Sequence, residues 1–157
     1  MKPILIFLVS FLFGCVTVAS DVKPRSSKTR PVNTFIDPAF VRYVEDFELA
    51  FGKFVDVYMG FEEDLDNGNH GECWRFTDGY REVVINSKGW DRMTILQRRA
   101  LIFHELGHCV FDMKHDDSLK FDGCAKSLMY PHPISQRCLR QYWRQYESEF
   151  QNHDRGK

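Results

Sequence analysis

Apolar residues change their spacing several times along this chain, and each change marks an element. Between Asp37 and Gly52 they form a wide helical stripe of Phe40, Val41, Val44, Phe47, Leu49 and Phe51. Asp37 suits the cap of that helix, Pro38 its first turn and Gly52 its end. The period then falls to two. "FVDVYMGF" alternates and is rich in β-formers, which predicts a strand over Phe54–Phe61. "EEDLDNGNHGE" has no apolar rhythm and reads as a polar loop. "CWRF" and "REVVINS" flank "TDGY", whose Asp-Gly pair is a hairpin signal, so strands are expected at Glu72–Phe76 and Arg81–Asn86. A helical period returns at Thr94, where "TILQ" is a capping box, and Ile95, Leu96, Leu101, Ile102, Leu106 and Val110 supply its buried side. From Ser135, "SQRCLRQYWRQYESEF" places Leu139, Tyr142, Trp143, Tyr146 and Phe150 at helical spacing, a stripe for packing against the preceding helix. Helices and strands in this order predict an α+β domain.

The start of the chain has a different texture. An apolar run from Ile4 to Phe13 follows a lone Lys2, too short for a stable membrane span and laid out as a bacterial export signal. Two processing sites are legible in residues 1–20. "LFGC" resembles the lipobox of bacterial lipoproteins, which would make Cys15 the lipidation site and attach the protein to a membrane. "VAS" before Asp21 suits ordinary signal peptidase and simple secretion, and an uncleaved anchor is the third possibility. Residues 21–34, "DVKPRSSKTRPVNT", read as a flexible linker, which leaves residues 35–151 as the folded domain. The expected location is the bacterial cell envelope or the outside.

Composition narrows the function. The chain has 157 residues, 43% apolar, 27% charged, with a formal net charge of −1. That is one domain, without the basic footprint of a nucleic-acid binder. Apart from Cys15 there are four cysteines, Cys73, Cys109, Cys124 and Cys138. In an oxidising compartment they suggest up to two disulfides, and three pairings are possible. Helix packing near the candidate site favours joining Cys109 to Cys124 or to Cys138. In the polar loop, Asp64, Asp66 and Asn69 carry oxygen donors that calcium takes, but their spacing matches no calcium loop, so a solvated turn is expected. His70, His132 and His153 are expected at the surface.

The chemistry concentrates in "FHELGHCVFDMKHDD", Phe103 to Asp117. Residues four apart share a helix face, so His104 and His108 can hold one metal ion together. Glu105 is turned by about 100° from His104 and can reach a water on that metal. H-E-x-x-H is therefore a geometric statement: two ligands and a general base on one rigid helix. Imidazole nitrogen suits zinc, and a catalytic zinc takes three protein ligands with a fourth position open.

"HELGHCVFDMKH" followed by "SLMYP" resembles the metzincin clan of zinc endopeptidases, within it the matrixin-like branch. The resemblance spans about Thr94–Pro131. It implies a small α+β zinc protease domain, with a twisted, mostly antiparallel-edged sheet on an N-terminal helix and an active-site helix, and a C-terminal helix. It implies zinc on His104 and His108, Glu105 as base, and Met129 as the floor of a methionine turn, with Tyr130 and Pro131 beside the substrate pocket. The substrate would be an extended peptide or protein, paired along a sheet edge near Cys73–Phe76. The family's glycine falls at Phe111 and its third histidine at Lys114, so His115 stands one residue late. A helix one residue longer, with Asp112 in the left-handed conformation, would deliver His115 as the third ligand. Asp116 and Asp117 are the alternatives. No cysteine stands between Cys15 and Cys73 to act as a matrixin-like switch.

Two rival readings fit the same residues. Peptide deformylases also use H-E-x-x-H, with an upstream cysteine as ligand, and "GECWR" offers Cys73. The other is an exported non-catalytic zinc-binding or inhibitory module.

Overall fold

The structure, a computed structural model, describes residues 35–63, 65 and 68–155. The export segment with Cys15, the linker, and Asp64 and Asp66 lie outside these residues. The elements run α1 (Val41–Phe51), β1 (Tyr58–Glu62), β2 (Gly71–Arg75), β3 (Arg81–Asn86), α2 (Ser87–Trp90), α3 (Ile95–Phe111) and α4 (Gln136–Arg155). This is an α+β domain. Among the described residues no helix is long and apolar enough to cross a membrane.

The sheet has three strands in the order β1-β3-β2. β2 and β3 form the expected antiparallel hairpin, with Cys73 opposite Val83. β1 pairs parallel to β3, so the sheet is mixed. β1 is shorter than the alternation suggests. Its first partner pair is Tyr58↔Glu82, at the start of β3, so among the described residues no strand lies beside Phe54–Val57. That segment is still anchored: Val55 and Val57 are buried, and the Val55 N–H donates to Glu48 Oε1 at 2.8 Å.

The N-terminal helix also begins later than Asp37. The Asp37 side chain accepts from the Ala39 N–H at 2.9 Å, closing a turn over Pro38–Phe40, and α1 proper starts at Val41 without a side-chain cap. Gly52 ends it at φ 63°, a left-handed exit that glycine makes at little cost. The short α2 was not legible in the hydrophobic pattern. Asn86 caps it by accepting from the Lys88 N–H at 3.0 Å, and it buries Trp90 against Phe40, Tyr43 and Phe61.

α3 is the centre of the core. Its capping box is complete: the Gln97 N–H donates to Thr94 Oγ1 and the Thr94 N–H to Gln97 Oε1. One side packs on the sheet, another on α1 and α4. The contact among the three helices is aromatic. Phe47 and Phe51 of α1, Phe103 and Phe111 of α3 and Phe150 of α4 pack with ring centroids 4.7–6.4 Å apart. α4 contributes the stripe expected of it, with Leu139, Tyr146 and Phe150 fully buried.

Two disulfides fasten these layers. Cys73–Cys109 joins β2 to α3, and Cys124–Cys138 joins the loop after α3 to the start of α4. The pairing of Cys109 with Cys124 or Cys138 is thus overturned. Cys109 points to the sheet, where its partner is the facing residue of β2, and not towards α4.

Candidate metal centre

His104 and His108 lie one turn apart on α3, and the chain beyond the helix returns His115 to the same point. The three Nε2 atoms are 3.1 Å (104–108), 3.2 Å (104–115) and 3.0 Å (108–115) apart. Tetrahedral ligands at about 2.0–2.1 Å from zinc are separated by about 3.3 Å, so the spacing fits one ion. Tautomers make the case stronger. His104 Nδ1 meets the Leu128 carbonyl and His108 Nδ1 the Met113 carbonyl, each at 2.7 Å. A carbonyl only accepts, so both Nδ1 atoms carry the proton and both Nε2 atoms present lone pairs. Two lone pairs facing each other at 3.1 Å repel unless a cation lies among them. Desolvation and then the neighbouring His108 push the His104 pKa down to about 3, against the opposing hydrogen bond to Leu128. The ring is therefore neutral, the form that binds metal.

The route to His115 explains the departure at Phe111. Phe111 is buried in the aromatic cluster, where glycine would leave a hole. α3 accordingly runs through Phe111, and Asp112 takes the left-handed turn at φ 57°. Met113 turns inward with its carbonyl on His108, Lys114 points to solvent, and His115 reaches the cluster. Asp116 and Asp117 do not join it. The Asp116 carboxylate accepts from the Ser118 N–H at 2.9 Å, and hydrogen bonds from Ser118 hold it below the usual carboxylate range.

Behind the histidines lies the turn that carries Met129. The Met129 carbonyl accepts from the Asp116 N–H at 2.9 Å, tying the turn to the residue after His115. Its N–H donates to Ser127 Oγ at 2.8 Å, and that hydroxyl donates to Glu149 of α4 at 2.5 Å. The Met129 sulfur sits over Gly107, where an added Cβ would lie 2.7 Å from it and 2.9 Å from Phe150. In front of the histidines opens a cavity of about 420 Å³, lined by Leu101, Ile134, Leu139, Tyr130, Pro131 and Glu105 among others. Glu105 is only 4% exposed. Its carboxylate passes β2 at Gly71, where a Cβ would come within 2.8 Å of Oε1. The site thus combines three converging imidazole nitrogens that could hold a metal ion, a buried carboxylate and a cleft beside β2, a terminal strand of the sheet.

Residues 57–151 match the sequence family described as "Putative phage metallopeptidase". The chain belongs to this family. No curated protein and no solved structure matches it. Family and geometry agree on a metallopeptidase whose histidine trio suits zinc.

Cys73 cannot serve as a deformylase-like ligand, because its sulfur is bonded to Cys109. The Asn69 side-chain N–H donates to Glu72 Oε1 at 2.9 Å. His70 and His132 both line the cleft, and His132 packs edge-on against Tyr130 at 5.5 Å. His153 is not a simple surface residue, since its Nε2 donates to the Phe111 carbonyl at 3.1 Å. Gly71, Ser127, Glu149, Arg75 and Arg81 were not singled out from sequence. Their contacts cross between elements, and no local spacing encodes them.

Proposed function

We propose that the protein is an exported zinc endopeptidase, matrixin-like in the order of its parts, that hydrolyses extended peptides with Glu105 as general base. The observation that carries this reading is the convergence of three Nε2 atoms, two of them with Nδ1 committed to carbonyls, beside a buried carboxylate and an open cleft. His104, His108 and His115 would hold the zinc. When bound, zinc supplies Lewis acidity, which makes a water more acidic and polarises the scissile carbonyl.

The remaining work falls to the chain's own groups. Glu105, enclosed by α3 and Gly71, takes a proton from the attacking water and hands it to the departing amine. Among the described residues β2 is a terminal strand of the sheet, along which a substrate backbone can add as a further strand. Tyr130 and Pro131 border the cavity and receive a substrate side chain next to the cleaved bond. Met129, only 1% exposed, is the apolar floor beneath the histidines.

Export is inferred from residues 1–20, with Cys15 as lipidation site and membrane attachment point, and the two disulfides suit an oxidising compartment. Cell fractionation of the chain and of Cys15→Ser tests it: lipidation requires the wild type in the membrane fraction and the variant released.

The deciding experiment for the activity measures zinc content and peptide-library cleavage on the mature domain and on Glu105→Ala. The expectation is about one zinc per chain in both and cleavage in the wild type alone. Zinc without cleavage in the wild type would make the protein a binding module instead.

A further inference from the structure

A helix leaves its last carbonyls without partners inside the helix. At the end of α3 these groups are taken up by side chains from three other elements. The His108 carbonyl accepts from Arg75 Nη2 of β2, and the Cys109 carbonyl from Arg81 Nη1 of β3. The Phe111 carbonyl accepts from His153 of α4. Arg75 and Arg81 are partners in the β2–β3 register, so the hairpin delivers both guanidiniums to one place. Both also pair with Asp112 Oδ1, at 2.8 and 3.6 Å. Asp112 is the one non-glycine residue with positive φ among the described residues. His115 follows three residues later.

We propose that Arg75 and Arg81 are positioning residues for the third metal ligand. They hold two carbonyls of the metal-binding helix and the carboxylate of the residue that makes its left-handed exit. The proposal rests on the reading of the three histidines as a metal site. A glycine makes such an exit without help, whereas aspartate is strained there. Here the core claims Phe111, so the exit falls on Asp112 and needs support from outside the helix. Two cations at the negative end of the helix supply that support, and the guanidinium fork is suited to it because one group can serve a carbonyl and a carboxylate together. Neither arginine belongs to the histidine cluster; each acts through Asp112 and the backbone.

The test uses the full chain with its disulfides intact, stripped of metal. Zinc affinity is read by chelator competition, the ligand set by the absorption spectrum of the cobalt-loaded protein, and folding by thermal melts. The variants are Arg75→Met and Arg81→Met, each alone and in an Asp112→Gly background. Loss of such supporting contacts typically weakens metal binding by about 10–100-fold, and each arginine substitution is expected to do so in the native background. Asp112→Gly alone should stay close to wild type, and in that background the arginine substitutions should cost much less. The cobalt spectrum of the single variants should show a changed ligand set. A purely structural role would instead lower the melting temperature equally in both backgrounds and leave affinity unmoved. Unchanged zinc affinity in the arginine variants, or equal losses in the native and the Asp112→Gly backgrounds, overturns the proposal. Arg75→Lys, which keeps the charge without the fork, must show the same ordering if a methionine variant does not fold. A wild type that takes up no zinc would sink the metal-site reading itself, and the first titration separates that failure from the others.

Discussion

Glu105 occupies a space that a single methyl group would close. Replacing it with Gln keeps the shape and removes the carboxylate proposed as base, so peptide cleavage should fall by about 10²–10⁴-fold while zinc stays bound. Steady-state kinetics with metal analysis on the same sample checks both halves. Gly71→Ala is a gentler probe of the same atom. Its Cβ would fall 2.8 Å from Oε1 and 2.9 Å from Cγ, so the carboxylate must shift. The expected result is a lower kcat with zinc content unchanged. His104 makes a prediction about pH. Its folded pKa of about 3 lies below the ordinary 6.5, so between these values the unfolded chain binds more protons. The metal-free protein should therefore lose stability as the pH falls from about 6.5 towards 3, and denaturant titrations across that range measure it. Glu149 works in the opposite sense just above pH 4.5, because burial raises its pKa.

α3 shows how one element serves three purposes. Its start is closed by Thr94, and Thr94→Ala should cost about 1 kcal/mol of stability, a few degrees in Tm, with zinc affinity unaffected. That end lies far along the helix from the histidines, so the loss is one of folding alone. Its middle needs Gly107. A Cβ there meets the Met129 sulfur at 2.7 Å and the Phe150 ring at 2.9 and 3.1 Å. Gly107→Ala is expected to destabilise the domain by about 1–3 kcal/mol through overpacking. It should also weaken zinc binding, because the Leu128 carbonyl that orients His104 belongs to the displaced turn. Thermal melts and chelator competition on the two variants should therefore diverge. The end of the helix is decided by Phe111, whose burial moves the left-handed turn to Asp112.

For the whole molecule the disulfides are the main constraint outside the core. They close separations of 36 and 14 residues, worth about 4 and 3 kcal/mol respectively in the chain-entropy account. Cys124→Ser with Cys138→Ser should lower stability and leave the metal centre intact. Cys73→Ser with Cys109→Ser should also free β2 from α3, since this bridge lies beside His108, and zinc affinity should drop as well as Tm. The two double variants, compared by melting and zinc titration, separate stability from site geometry. Glu149 adds a further link at this scale, since α4 supports the methionine turn through Ser127.

Much of this protein is written in short stretches. The capping box, the Asp-Gly hairpin and the His-Glu-x-x-His face need only a helix period, a strand period and a turn, all set by neighbouring residues. For that reason α3, the β2–β3 hairpin and the aromatic stripe of α4 could be read from residue order, while the left-handed Asp112 was expected only from the one-residue delay of His115 and its cause, the burial of Phe111, is tertiary. Other features depend on which faces meet. The length of β1 is set by where β3 begins, and the partner of Cys109 by the side of α3 that lies on the sheet. The capture of α3's last carbonyls by Arg75, Arg81 and His153 joins residues up to 42 positions apart. Such contacts carry no local period, because they exist only once the layers have packed. The residue types for the chemistry were thus legible in the chain, whereas the closing of His115 onto His104 and His108 was decided by tertiary packing.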